Sequence, residues 1–406
     1  MVMHMDVTLT DVRQAQERIA GRVLRTPAAK SHTLSAQLGC DLYIKFENQQ
    51  FTASFKERGA LNSLLVNATA ARDGVIAMSA GNHAQALAYH GALCGLATTI
   101  VMPRITPNAK VQATRTLGAE VLLHGSRFDE TLEFTQALAA EQGLFLVHPF
   151  DAPEVIAGQG TLALELLEQV PDLDVIVVPI GGGGLISGVA CVVKALKPSV
   201  EVVGVQVERF QTAHALFHDQ PVPPAGRDGT VAEGIAVQMP GQLTRTLIRR
   251  WVDDVALVSE QQVEQAIFDL LEIEKTVAEG AGAVGLALVR AQPERFAGRR
   301  VAMILCGGNI DMMILSSVLQ RGMVRSHRLV RLQVEIPDTP GALANLTRLL
   351  GELDSNIVDI QHQRAFGGSS VRATLVELVL QLRGEEQMSG VTEVLTHHGY
   401  DVSTIG

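Results

Sequence analysis

From residue 42 to residue 207 the chain repeats one phrase: a short apolar run, a loop of small residues, then a stretch with helical spacing. Apolar runs fall at 42–46, 74–78, 98–102, 120–123, 144–147, 175–179 and 201–207, with another at 301–305. Helical spacing covers 110–117, 128–142, 188–196 and 261–274; one helix runs through Ala84, Leu87 and Ala88, and another ends at 165–169. Short strands apolar on both faces, interleaved with helices of roughly 10–15 residues, make a parallel sheet covered on both sides. The fold class is α/β. An amphipathic helix at 10–19 (Val12, Ala15, Ile19) precedes the series, and 217–229, rich in proline and glycine, reads as a surface loop.

Near residue 325 the period changes. Val330, Leu332, Val334 and Ile336 alternate with Arg331, Gln333 and Glu335, the mark of a half-buried strand. A turn at 337–341, a helix with Leu343, Leu346, Leu350 and Leu353 on one stripe, strands at 357–361 and 371–382, a helix at 391–398 and a strand at 400–405 complete a βαββαβ order. We expect a first domain at 1–325, with a smaller subdomain at roughly 50–150 inside it, and a second domain at 326–406.

Composition narrows the partners. The 406 residues carry 33 lysines and arginines against 43 acids, a net charge of −10, which argues against nucleic acid or an anionic membrane. Cys40, Cys94, Cys191 and Cys306 are dispersed, with no CxxC pair and no zinc spacing, as in a reducing compartment. Residues 1–10 lack the pattern of a signal peptide, and no window reaches the ~18 apolar residues of a membrane span. A cytoplasmic protein is expected.

Four segments carry possible chemistry. Ser54-Phe55-Lys56-Glu57 reads as a capping box that opens a helix, which makes Lys56 a first-turn lysine. Most such lysines are solvated, but the positive end of the helix dipole favours the neutral amine that covalent catalysis needs. Gly181, Gly182, Gly183 and Gly184, with Leu185, join a buried strand to a helix; amides unshielded by Cβ atoms there form a phosphate cradle, beyond what a turn requires. Gly280-Ala281-Gly282-Ala283-Val284-Gly285 matches a dinucleotide fingerprint literally, yet it follows a helix and lacks the acid about 20 residues on, so it reads as close helix packing. Ser79-Ala80-Gly81-Asn82-His83 and Cys306-Gly307-Gly308-Asn309 each follow a strand, where open α/β sheets bind ligands. Separately these are a polar loop and a buried thiol. Together with Lys56 they suit a phosphorylated cofactor.

These four motifs, in this order, resemble the pyridoxal-phosphate-dependent threonine dehydratases (threonine ammonia-lyases) of the tryptophan-synthase-β-like fold, fold type II. The tail, with Asp338-Thr339-Pro340-Gly341 and Asn356-Ile357, is similar to a ferredoxin-like ACT domain. The resemblance implies that Lys56, next to Phe55, holds pyridoxal phosphate as a Schiff base and later takes the Cα proton. Asn82 would meet the cofactor's 3′-oxygen, Gly181 to Leu185 its phosphate, and Cys306 its ring nitrogen, where a neutral group favours β-elimination over transamination. Ser79, Ala80, Gly81, Asn82 and His83 would cradle the substrate carboxylate. The implied reaction converts L-threonine, and L-serine, to a 2-oxo acid and ammonia.

The tail implies a homodimer or homotetramer with an amino-acid effector at Asp338, Gly341, Asn356 and Ile357. Two departures stand out. Ala53 occupies a position where many relatives have glycine, and Gln206 stands where several have an acidic cation ligand, so no metal site is expected. The rivals are a dehydratase of another hydroxy amino acid, such as hydroxyaspartate, and a non-catalytic amino-acid sensor.

Overall fold

A computed structural model describes residues 6–224, 229–363 and 370–405. The chain divides into two compact units, Met1–Asp311 and Met312–Gly406. The expected boundary at 325 therefore falls too late by one helix. Met312–Arg325 precedes the strand at 329 and groups with the second unit, because it packs on that strand.

The first unit holds two sheets. The larger is built from β1 (Ala28–Lys30), β2 (Asp41–Phe46), β7 (Val175–Pro179), β8 (Glu201–Val207), β9 (Asp254–Val258) and β10 (Arg300–Leu305), in the order β1-β2-β10-β7-β8-β9. All its pairings are parallel except β1 with β2. The smaller, entirely parallel sheet is inserted between β2 and β7. It contains β3 (Val75–Met78), β4 (Thr98–Met102), β5 (Glu120–Leu123) and β6 (Phe145–Leu146), in the order β5-β4-β3-β6. Every residue of β4 and β7 is buried, as a parallel sheet covered on both faces requires. The expected loop at 217–229 begins after the helix Thr212–Phe217, and its residues 225–228 lie outside the described residues.

Helix Pro153–Gln169 packs against helices Lys56–Val66 and Gly184–Leu196. Glycines face each other at these crossings. A Cβ at Gly158 would lie 2.7 Å from Gly59 Cα, and one at Gly188 would lie 2.6 Å from Gly160 N. This close approach brings the chain segments after β2 and β7 to one side of the sheet. With the loops after β3 and β10, four strand ends open into one cleft.

The second unit is a four-stranded antiparallel sheet of β11 (Leu329–Pro337), β12 (Asn356–Gln363), β13 (Ala373–Gln381) and β14 (Asp401–Ile405), ordered β12-β13-β11-β14. Helices Ala342–Glu352 and Glu385–His397 bury their apolar stripes on it: Leu346, Leu349, Leu350, Val391 and Leu395 join Val330, Leu332, Val334 and Ile336 in one core. This is the expected βαββαβ ferredoxin-like order.

Candidate active site

Lys56 is the first residue of its helix, and the N-cap is Phe55, which makes no side-chain cap. The expected capping box does not form. Ser54 Oγ accepts from the Lys56 amide (3.2 Å), but Glu57 turns away. Its buried carboxylate accepts from the Thr52 hydroxyl at 2.9 Å and from His90 Nε2 at 3.1 Å, partners that satisfy a buried anion better than one cap amide. The loop after β10 is stitched to this segment by backbone: Phe55 N–H donates to Cys306 O (3.0 Å) and Gly308 N–H to Ala53 O (2.9 Å).

Lys56 Nζ donates to Pro149 O at 2.8 Å and lies 5.2 Å from the centre of the Phe55 ring. The surrounding protein, which strips water from the ammonium, lowers its pKa to about 8, against the pull of Cys306 and Glu279. Burial also pushes the Cys306 thiol well above its usual value, so it is neutral. The sequence reading missed Glu279. Its carboxyl is buried, which raises its pKa to about 7 although Asn82 donates to it. Asn82 Nδ2 meets Glu279 Oε1 at 2.7 Å, and Asn82 Oδ1 accepts from Asn309 Nδ2 at 2.8 Å. The one local signal is an acid alone among small residues, Ala278-Glu279-Gly280.

The glycine loop begins its helix at Gly184, four residues before the expected start, with Gly183 left-handed at φ 94°. A Cβ at Gly182 would sit 2.2 Å from the Phe150 ring, and one at Gly184 would sit 2.7 Å from Phe150 O. Among the described residues, the amides of Gly182 to Leu185 have no acceptor in the protein. Bare amides at the mouth of a 13-residue helix fit a phosphate group, and an uncharged-capable lysine in the same cleft fits an aldehyde. The residues present therefore suit pyridoxal phosphate.

Ser79 to Gly81 are half-buried at the end of β3, where Gly81 N–H donates to Ser79 Oγ (3.3 Å) and Gly81 opens helix Asn82–Leu93. His83 differs. Its ring is buried and donates from Nε2 to Val147 O (3.2 Å), and burial with Lys56 nearby lowers its pKa to about 3. Its side chain is a neutral strut, and only its backbone belongs to the loop. His148, also missed, accepts at Nδ1 from the amides of Phe150 (3.2 Å) and Asp151 (2.7 Å) and so shapes the turn under Lys56.

The dinucleotide look-alike is packing. Helix Gly280–Ala291 begins at the first of these glycines, and a Cβ at Gly282 would lie 2.6 Å from Gly307 O. Gln206 is buried, accepting from His214 N–H at 2.9 Å. Among the described residues, no group of three His, Cys, Asp or Glu side chains could hold a metal, and no helix is long and apolar enough to cross a membrane.

In the second unit the expected effector residues split. Asp338 and Gly341 follow β11 at the end where Pro337 faces Ala373, while Asn356 starts β12 opposite Gln381, which pairs with Leu329 at the other end. Eight strand steps at about 3.3 Å separate the two ends, so within one copy no single amino acid touches both. Ile357 packs against the core of its own unit.

A family model described as pyridoxal-phosphate dependent enzyme matches residues 19–307. Over 401 residues the chain is 41% identical to the L-threonine ammonia-lyase of Thermotoga maritima, covering 98% of this chain and 100% of that one. Maize serine racemase superposes with a TM-score of 0.72 at 33% identity, over 79% of this chain and 99% of that one. The processed form of threonine deaminase isoform 2 from Solanum lycopersicum gives a TM-score of 0.72 at 32% identity, over 79% and 91%.

Proposed function

The chain belongs to the pyridoxal-phosphate-dependent enzyme family, and we propose that it deaminates L-threonine through Lys56, with L-serine as a second substrate. The observation that carries this reading is the convergence of Lys56, Asn82, Cys306 and the free amides of Gly182 to Leu185 in one cleft, in a chain so similar to an L-threonine ammonia-lyase.

Bound pyridoxal phosphate supplies an electron sink that makes the Cα proton of an amino acid removable. The protein does the rest. Lys56, lowered to about 8, has a neutral fraction near pH 7 that acts as nucleophile and as base at the Cα proton. Amides of Gly182 to Leu185 and the helix dipole hold the phosphate, Phe55 and Phe150 wall the cleft against water, and the Asn82 amide meets the ring oxygen. Cys306, neutral in its buried place, gives the ring nitrogen no counter-charge, which favours elimination. In the loop Ser79 to His83, Ser79 N–H is taken by Val101 O and Gly81 N–H by Ser79 Oγ, so the amides of Ala80, Asn82 and His83 receive the substrate carboxylate at a helix start. Net, the Cα–H and Cβ–O bonds break, the hydroxyl leaves as water, and hydrolysis returns that water and releases ammonia with 2-oxobutyrate.

The second unit serves as a regulatory ACT domain in a homo-oligomer. Edge strand β12 exposes Val358 and Ile360, and pairing two copies antiparallel along it would bring Asp338 and Gly341 of one beside Asn356 of the other. One assay tests both parts: 2-oxo acid and ammonia from purified protein with L-threonine, L-serine or 3-hydroxyaspartate, repeated with isoleucine or valine. The expected order of kcat/KM is threonine, serine, hydroxyaspartate, with an amino-acid-dependent change of at least about fivefold. Turnover of hydroxyaspartate above threonine would overturn the substrate. Rates and oligomeric state unmoved by any amino acid would overturn the regulation.

A further inference from the structure

We infer that Glu279 and Asn309 are positioning residues that lock the side-chain amide of Asn82, so that the site meets its remaining N–H and must place an acceptor oxygen opposite. The inference rests on the cofactor reading above and adds what sets the direction of the Asn82 contact.

The direction can be read from one fixed end. The carbonyl of Thr52 can only accept, and Asn309 Nδ2 donates to it at 2.8 Å. The same nitrogen's second hydrogen reaches Asn82 Oδ1 at 2.8 Å, so the oxygen of Asn82 faces Asn309. Asn82 Nδ2 is thereby turned to Glu279 Oε1, 2.7 Å away, and one of its two hydrogens is used there. One N–H is left for the cleft. The backbone is shaped for this carboxyl: a Cβ at Gly307 would lie 2.4 Å from Glu279 Oε1 and one at Gly234 would lie 3.2 Å from it, and Glu279 N–H donates to Gly307 O at 3.1 Å. The relay joins the segments at 52–56, 79–83 and 306–309. Without the Asn309 donor the Asn82 amide can turn and offer its oxygen to the ring oxygen, a repulsive pairing, and without Glu279 its nitrogen loses the acceptor that aims the remaining N–H at the cleft.

The test titrates cofactor-free wild type and variants with pyridoxal phosphate, reading the dissociation constant and the position of the visible absorbance band. Glu279→Ala should weaken binding about tenfold, the 1.4 kcal/mol of roughly one hydrogen bond, and shift the band. Glu279→Gln, whose carbonyl oxygen still accepts, should stay within about threefold of wild type with the band unmoved. Asn309→Asp, which reverses the relay without changing its shape, should match Glu279→Ala and keeps the test alive if the alanine variant fails to fold. Wild-type affinity and band in Glu279→Ala or Asn309→Asp, or a Glu279→Gln as impaired as Glu279→Ala, would overturn the inference. Wild type that binds no pyridoxal phosphate would instead overturn the cofactor reading, before any variant is compared.

Discussion

Lys56 and Arg58 stand two residues apart in the first turn of one helix and enter opposite environments. Arg58 is fully buried in a closed ionic cluster. Its guanidinium spans Glu47 (both contacts 2.8 Å) and Glu165 (2.7 and 2.9 Å), and Lys45 Nζ adds a bond to Glu165 at 2.6 Å and to Thr26 O at 2.7 Å. Two cations meet two carboxylates, with Thr26, Thr161 and the Leu24 carbonyl filling the remaining valences. Burial alone would lower the Arg58 pKa, but Glu47 and Glu165 outweigh it and raise it. Lys56, in the cleft, has one neutral carbonyl partner, and burial wins. A saturated buried cation is permanent structure; an under-partnered one titrates and reacts.

The widest test of that contrast pairs two substitutions of matched length. Arg58→Met strands Glu47 and Glu165 with only Lys45, and should lower the unfolding free energy by about 3–5 kcal/mol in a urea titration. Lys56→Met removes an under-partnered ammonium, so it should leave stability within about 1 kcal/mol of wild type while abolishing ammonia release. Equal losses of stability from the two would break the comparison, because Lys56 would then be a structural cation like its neighbour.

A smaller effect, about tenfold, distinguishes the two by pH. Only neutral Lys56 captures the cofactor aldehyde, and with a pKa of about 8 its neutral fraction rises about tenfold between pH 7 and 9 and then levels off. A lysine at the ordinary value near 10.4 would keep rising about a hundredfold over the same interval. Stopped-flow capture rates on cofactor-free protein decide between a plateau and a continuing climb. Lys56 has lost its proton affinity relative to the unfolded chain, so the sign is a gain of reactivity as pH rises through 8.

The contrast also explains what could be read from the sequence. Residues 120–123 and 128–142 are found with the expected bounds, and the alternating run at 330–336 is buried at each apolar position, because periods of 2 and 3.6 are local signals. The motifs around Asn82, Gly181 and Cys306 are visible because each follows a strand directly, and the one around Lys56 because it opens a helix. What local pattern misses is long-range polar pairing. Ser54 and Glu57 satisfy a capping box locally, yet His90, 33 residues on, takes the carboxylate. Glu279 finds its partner 197 residues away at Asn82, and His83 has the look of a loop residue although Val147 claims its ring. No periodicity records which buried polar groups meet.

The smallest predicted effect sits at the hinge between the two environments. Ala53 is left-handed, φ 53°, immediately before the helix that carries both Lys56 and Arg58, and its carbonyl accepts from Gly308 N–H. That conformation costs a residue with a Cβ about 1–2 kcal/mol, of which glycine would return part while adding about 0.5–1 kcal/mol of unfolded-chain entropy. Ala53→Gly should therefore stabilise the protein by about 0.5 kcal/mol in the same urea titration. If the pH plateau of cofactor capture stays in place, the strain at Ala53 is a cost of the fold alone, and Lys56 is tuned by its surroundings. If capture slows while stability rises, the strained backbone is what aims Lys56 into the cleft, and the difference between Lys56 and Arg58 begins three residues before the first of them.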